Sequence, residues 1–211
     1  MSVLIVTGTG TDVGKTVVTA AIAACAKGSV TVVKPAQTGV APDEPGDLAE
    51  VTRLSGRTDV HEFARYPDPL SPHQAARLSG LPELDFADTT LRIGDLDAVH
   101  DLVIVEGAGG LLVPFTSSDR WTVADLASSL HAEVVLVTAA GLGTLNHTAL
   151  TVDRLAEDGI ALAGIVIGSW PAEPDLVARC NVADLAAMAP EGRLAGALPA
   201  GMSAVRDFRR Q

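Results

Sequence analysis

Nine residues near the start, Gly8-Thr9-Gly10-Thr11-Asp12-Val13-Gly14-Lys15-Thr16, combine glycines, hydroxyls and a lysine in an order suited to holding a polyphosphate. Glycines let successive backbone N–H groups curl around phosphate oxygens. A helix opening at Lys15 adds unpaired N–H donors and a partial positive charge. Lys15 is placed to reach the terminal phosphates, and the Thr16 hydroxyl to ligate Mg²⁺. The flanks agree, because Val3-Leu4-Ile5-Val6 is an apolar run of strand type and Val17 to Ala24 continues the helix. That strand, turn and helix order is the setting this chemistry requires. The usual pattern places four residues between the first glycine and the Gly-Lys pair. Here Gly8 and Gly14 enclose five, and Gly10 and Gly14 three. A glycine-rich turn with no ligand is the bland alternative, and the flanking elements argue against it. The segment reads as a nucleoside triphosphate loop.

Two further segments carry charge where a buried strand should end. Lys34 follows Thr31-Val32-Val33 and precedes Pro35, and a lysine there is costly unless it meets an anion. A phosphate or carboxylate is the expected partner, in preference to a lysine that snorkels to solvent. Glu106 closes the run Leu102-Val103-Ile104-Val105 and opens Gly107-Ala108-Gly109-Gly110. Aliphatic residues ending in a carboxylate suit the acid that helps hold Mg²⁺, and the glycines admit close approach of substrate to backbone. A loop-capping glutamate is the weaker alternative. Asp47 reads on its own as a helix N-cap. Ser71-Pro72-His73-Gln74 has the form of a capping box, with proline at the first helical position. His73 stays open to a place in the site. Thr144-Leu145-Asn146-His147, after Gly141-Leu142-Gly143, opens another helix, where Asn146 and His147 have a capping role available. His61, His100 and His131 show no metal spacing. No Ser–His–Asp or Cys–His set stands out, so the chemistry implied is phosphoryl transfer.

These groups need a scaffold that brings several strand ends to one edge. Strand patterns fall at 3–7, 30–34, 102–106, 133–138, 161–167 and 194–198. Helical patterns fall at 15–27, 47–55, 72–79, 85–98, 122–130, 145–157 and 174–188. Strands apolar on both faces, alternating with helices, indicate an α/β fold with a central, mostly parallel sheet covered on both sides. Function then belongs at the carboxyl ends, in the loops after residues 7, 34, 106, 138 and 168. The stretch 35–72 is the least regular, and it is too long for a connector, so it is expected to line the site. With 211 residues, 1–211 reads as a single domain. Hydrophobic residues make up 47% and aromatics 3%, which predicts an aliphatic core. A net charge of −11 argues against nucleic acid or anionic membrane as partner. Against that background the lysines number three, and two of them, Lys15 and Lys34, sit at the ends of the first two predicted strands. Cys25 and Cys180 lack metal spacing and read as buried free thiols of a reducing compartment. No membrane-length apolar run or basic leader is present, so a cytoplasmic location is expected.

Assembled, these motifs resemble the dethiobiotin synthetase family almost end to end. The resemblance rests on Gly8 to Thr16, Lys34-Pro35, Thr38-Gly39, Ser71-Pro72-His73, Glu106 to Gly110, Gly143 to His147 and Gly196-Ala197-Leu198-Pro199. The family shares the lengthened phosphate loop. It implies the three-layer P-loop NTPase fold and a ligase that joins 7,8-diaminopelargonic acid and CO₂, drawn from bicarbonate, with ATP or another NTP and Mg²⁺. Carbamate formation, a carbamic–phosphoric anhydride and ring closure are the implied steps. Lys15 and Lys34 would hold the γ-phosphate and the carbamate, with Thr11 also catalytic. Gly10, Thr11, Asp12, Val13, Gly14, Lys15, Thr16 and Val17 would bind the nucleotide phosphates. Thr16, Asp47 and Glu106 would hold the metal; for Asp47 this rests on the resemblance alone. Lys34, Thr38, Gly107, Ala108, Gly109, Gly143, Leu145 and Asn146 would contact the substrate. A homodimer is implied, with Asn146 of one subunit reaching the other's substrate.

The chain departs from the family at three places. Asp12 stands where glutamate is common, and Thr38 where serine is. Gly168, in Ile165-Val166-Ile167-Gly168-Ser169-Trp170-Pro171, replaces an asparagine that reads adenine. Base recognition then falls to backbone near Gly168 and Pro199, and loss of a base-edge contact costs about 1–3 kcal/mol of discrimination. Loose nucleotide selectivity follows, with CTP as a binder. Two rivals compete. An amidotransferase-type synthetase normally carries a glutaminase domain for which this chain has no room. A partitioning-type ATPase switch normally has a second loop lysine that residues 8–13 lack.

Overall fold

Aliphatic runs form most of the strands of this computed structural model, which describes residues 3–208. Seven strands, β1 (Val3–Gly8), β2 (Val30–Thr38), β3 (Val60–Tyr66), β4 (Leu102–Gly110), β5 (Glu133–Thr138), β6 (Leu162–Trp170) and β7 (Gly196–Pro199), make one sheet. Their order is β3-β2-β4-β1-β5-β6-β7, and every neighbouring pair is parallel. Seven helices connect them: α1 (Lys15–Cys25), α2 (Asp47–Ser55), α3 (Pro72–Ser79), α4 (Phe86–Asp97), α5 (Val123–Leu130), α6 (Thr144–Glu157) and α7 (Leu176–Met188).

Alternate residues of a strand face opposite sides of a sheet, and here both sides are buried. Ile5, Val33, Val103 and Val105 pack on one side with Ile93, Leu126 and the stacked pair Phe115–Trp121. Val6, Val32, Ile104 and Val137 pack on the other with Val18, Val51 and Leu54 of α1 and α2. The core is therefore mainly aliphatic, as composition indicates; its aromatic members include Tyr66 and the Phe115–Trp121 stack, which anchors the segment between β4 and α5.

Helix starts follow local chemistry. Asp85, Thr122 and Asp175 each accept a backbone N–H three residues on, and Thr122 with Asp125 completes a capping box. Three expectations need correction. Residues 35–72 are not irregular throughout, because they contain the end of β2 and the edge strand β3. The Pro35 position explains how β2 continues: pairing with β4 ends at Val33–Val105, so the missing proline N–H falls where the two strands have already parted. Ser71 is the N-cap of α3, but no capping hydrogen bond forms, and its hydroxyl instead donates to Gln74 Oε1 at 3.1 Å. Both cysteines are exposed rather than buried, Cys25 as the last residue of α1.

The chain moves from β1 to β2 and β3 on one side, and from β5 to β7 on the other. The reversal beside β1 makes a crevice at the carboxyl ends of β1 and β4. β2, β4 and β6 extend past their expected ends. Thr38, Gly107 to Gly109 and Gly168 therefore sit on strand tips rather than in loops.

Candidate functional site

The phosphate loop turns through two left-handed residues, Asp12 (φ 59°) and Gly14 (φ 96°). Gly14 stands at the N-cap of α1, and no side chain caps that helix, which leaves its first N–H groups facing the crevice. Lys15 is 8% exposed and folds back to donate to the Gly10 carbonyl at 2.8 Å. Burial, and next the nearby charge of Lys34, hold its ammonium below the ordinary lysine range. The loop's outer flank rests on β6. A Cβ built at Gly168 would lie 2.0 Å from the Val13 carbonyl oxygen, and one at Gly14 would lie 2.7 Å from the Gly168 carbonyl oxygen. Glycine at 168 is thus demanded by contact with the loop backbone, and the position has no room for a base-reading side chain on this backbone.

Lys34 lies at the centre of the crevice, 4% exposed at the point where β2 and β4 separate. Its ammonium is 2.6 Å from Asp47 Oδ2 and 2.8 Å from Glu106 Oε1, and it donates to the Gly107 carbonyl at 3.3 Å. Burial opposes its charge, but Glu106 and Asp47 outweigh burial and hold Lys34 above the ordinary range. Burial likewise pushes Asp47 up, and Lys34 more than offsets it, leaving that carboxyl below its usual range. Thr16 Oγ1 donates to Glu106 Oε1 at 2.9 Å. Glu106 Oε2 is buried and meets no hydrogen-bond donor among the described residues. A buried acceptor without a donor is expensive unless a cation or ligand reaches it.

Asp47 is not the N-cap that its sequence position suggests. Gly46 holds that place with no capping side chain, and Asp47 is the first helical residue, turned toward Lys34. Gln37, which sequence reasoning missed, does the fixing. It is 3% exposed, and its Oε1 accepts the Asp47 N–H at 2.8 Å while its Nε2 donates to the Thr38 carbonyl. A side chain at Gly46 would strike it, with a Cβ 2.6 Å from that Oε1. The available signal was an amide side chain three residues beyond Lys34 in a strand otherwise buried.

A cleft of about 820 Å³ unites these groups. Thr11, Asp12, Gly14, Lys15 and Thr16 line it from the loop, and Lys34, Thr38, Asp47, Glu106, Ala108 and Gly109 line it from the strand tips and α2. Pro69 to Pro72, from the 35–72 stretch expected to line the site, form a rim with Val113, which the motifs had not indicated. Gly107 borders the site through its carbonyl, Gly10 through its bond to Lys15, and Val17, in the first turn of α1, packs against the core instead. His73 Nδ1 lies 3.2 Å from the Pro114 carbonyl oxygen, and the residue is not among those lining the cleft. Gly143, Leu145 and Asn146 open α6 and lie outside the cleft, with Asn146 exposed. Thr144 fixes that helix start by bonding to Thr138 at 2.6 Å and to the Ala139 carbonyl at 2.7 Å. Pro199 is exposed and pairs with Trp170, beside the phosphate loop's β6 flank.

Among the described residues no group of three or more His, Cys, Asp or Glu side chains is arranged to hold a metal ion by itself. One hydroxyl and two carboxylates nonetheless converge, and hard oxygen donors in that number suit Mg²⁺, which takes its other ligands from phosphate and water. The unpartnered Glu106 Oε2 fits the same reading. Together the site offers two ammonium groups, a helix N-terminus and a metal-type oxygen set, which is equipment for neutralising charge on a transferring phosphoryl group.

The family described as an AAA domain matches residues 2–204. An ATP-dependent dethiobiotin synthetase of Rhodococcus jostii is 61% identical over 204 residues, covering 95% of this chain and 87% of that protein. Those of Frankia casuarinae and Streptomyces avermitilis are 60% and 56% identical, covering 95% and 97% of this chain and 85% and 86% of theirs. A solved ParA family ATPase of Chlorobium tepidum aligns with TM-score 0.54 and 13% identity, over 94% of this chain and 84% of its own, a likeness of fold alone. No helix among the described residues is long and apolar enough to cross a membrane.

Proposed function

The chain belongs to the ATP-dependent dethiobiotin synthetase family, ligases of biotin biosynthesis, and on that premise we propose that it closes the ureido ring of dethiobiotin. The substrates are 7,8-diaminopelargonic acid, CO₂ and a nucleoside triphosphate. One amine adds to CO₂, losing a proton, and gives a carbamate. A carbamate oxygen attacks the γ-phosphorus as the bond to the nucleoside diphosphate breaks. The second amine then attacks the carbonyl carbon of the carbamic–phosphoric anhydride and gives up a proton, and phosphate leaves with the bridging oxygen.

The observation that carries this reading is Lys34, buried between Asp47 and Glu106 beside the phosphate loop. A fixed ammonium at that point can meet both the carbamate and the γ-phosphate, whose combined negative charge otherwise opposes their approach. Lys15 and the N–H groups of the loop hold the phosphates, with Thr11 on the same wall. Thr38, Ala108 and Gly109 line the space where the diamine would lie, and the Gly107 carbonyl holds Lys34 in place. Thr16, Asp47 and Glu106 would hold Mg²⁺, which would supply charge neutralisation to the phosphates when bound. The tight seat of Gly168 against the loop leaves the base to be met by backbone near Gly168 and Pro199, supporting loose selectivity among ATP, CTP and other triphosphates. A competition series of the four common triphosphates checks this, and strict ATP preference would count against it. The exposed Asn146 at the start of α6 supports the role of reaching a second subunit's site in a homodimer. We place the whole in the cytoplasm as one domain over 1–211.

The test of the mechanism uses ¹⁸O-labelled CO₂ and a short reaction. Label in the released inorganic phosphate is expected, because the anhydride oxygen departs with it. Unlabelled phosphate alongside labelled dethiobiotin would rule out the anhydride route.

A further inference from the structure

Arg53, on α2 and outside the cleft, fastens the end of the chain. Its Nε and Nη2 donate to Glu50 at 2.8 and 2.6 Å, and its Nη1 donates to the Val205 carbonyl at 2.6 Å. Nη2 also reaches the Ser203 carbonyl. A guanidinium presents these donors in one rigid plane, so carboxylate and both carbonyls are held in a fixed relation.

The segment held this way leaves β7 at Pro199, beside Trp170 of β6. It turns at Ala200, whose N–H donates to the Trp170 carbonyl at 2.6 Å, and at Gly201 (φ 81°), and then forms a short 3₁₀ turn at Met202–Ala204. Val205 and Phe208 pack with Val17, Val18 and Ile22 on the side of the sheet covered by α1 and α2. The segment therefore crosses from the β7 edge, past α1, to α2, and α1 begins at the phosphate loop.

The two flanks of that loop differ. On the β2–β4 side stand Lys34 and Glu106, the groups suited to terminal phosphate and metal. On the other side the loop backbone rests against Gly168 of β6. A nucleotide whose terminal phosphate faces Lys34 must send its ribose and base toward the ends of β6 and β7, where Pro199 to Ser203 begin the return. We propose that Arg53 is a positioning residue that sets this return segment, the base-side wall of the nucleotide site, without touching the nucleotide. The proposal rests on the nucleotide site described under the proposed function.

The test compares ATP with inorganic tripolyphosphate, which has the phosphates and no base, by isothermal titration calorimetry in Mg²⁺. Arg53→Ala is expected to weaken ATP binding by roughly tenfold and to leave tripolyphosphate binding unchanged. Equal loss for both ligands would mark a general loosening and overturn the proposal, as would undiminished ATP affinity. Arg53→Lys keeps the charge but cannot span both carbonyls and Glu50, so it should show the same one-sided loss to a smaller degree. That variant decides the matter if Arg53→Ala fails to fold. Wild-type protein that binds neither ligand would instead remove the nucleotide site, and this proposal with it.

Discussion

Replacing Gly168 with alanine adds one carbon where β6 meets the phosphate loop. On this backbone the carbon would lie 2.0 Å from the Val13 carbonyl oxygen, 2.7 Å from Val137 Cγ1 and 3.1 Å from Gly14 Cα. Val137 can yield by turning its side chain. The Val13 and Gly14 atoms are backbone, so the clash is relieved only when the loop and β6 separate. Overpacking a filled site costs about 1–3 kcal/mol, and contact with backbone places this case toward the upper figure. If loop displacement carries that cost, triphosphate affinity falls by about 5- to 150-fold. Calorimetric titration with ATP, run beside urea denaturation without nucleotide, measures both parts. Gly10→Ala is the stability control, since a Cβ there meets nothing within 4 Å and should leave the urea midpoint in place. Gly168→Asn, which installs the asparagine that the family resemblance implies at this position, is expected to bind ATP more weakly than Gly168→Ala and to gain no selectivity. Wild-type ATP affinity and an unchanged midpoint in Gly168→Ala would refute the reasoning.

Lys34→Met leaves two carboxylates, Asp47 and the buried Glu106, side by side without their ammonium. Removing one partner of a buried ion pair costs about 3–5 kcal/mol, so nucleotide-free urea denaturation should shift by that much. Mg²⁺ alone should restore part of the loss, and no response to Mg²⁺ would count against the metal assignment. Arg57 donates to the Ala23, Gly28 and Ala26 carbonyls and so closes the C-terminus of α1. Arg57→Ala should destabilise the fold by about 1.5–3 kcal/mol, read from the same denaturation curves, with little change in ATP affinity. Stability should also vary with pH through His100 and Asp59. The Leu96 carbonyl and Asp59 hold His100 above its ordinary value of 6.5, so its contribution is complete below 6.5 and is lost as pH rises through the folded value. Burial pushes Asp59 up, but its bonds to His100 and His61 outweigh this and hold it below 3.8, so its contribution is present above 3.8 and lost as pH falls. His100→Gln should flatten the alkaline limb of the urea midpoint against pH, and an unaltered limb would show that another group controls it.

The phosphate loop, Lys34 and Glu106 were legible because each sets polar atoms at the end of an aliphatic run, where burial makes a chemical role the economical explanation. The strand β3 was not, since His61, Glu62 and Arg65 interrupt it, and an edge strand needs only one neighbour and partial burial. Pro35 obscured the rest of β2 for a related reason: a proline argues against a central strand until the parting of β2 and β4 is known. Asp47 looked like a cap because aspartate favours helix starts, and the residue that displaces that role, Gln37, lies ten positions away across a loop. Gly168 was read as a missing side chain. Its packing against Val13 and Gly14 depends on a contact over some 150 residues of chain, and local pattern carries no such information. The free cysteines misled through base composition, since an apolar residue type on an amphipathic helix can as well end on its exposed turn.

The most direct measurement supplies purified protein with 7,8-diaminopelargonic acid, ¹³C-bicarbonate, Mg²⁺ and ATP, and analyses the product by mass spectrometry beside phosphate release. The account predicts dethiobiotin carrying a single ¹³C, one phosphate released per ring closed, and neither from Lys34→Ala. Phosphate release that proceeds without diamine or bicarbonate, with no dethiobiotin formed, would contradict it.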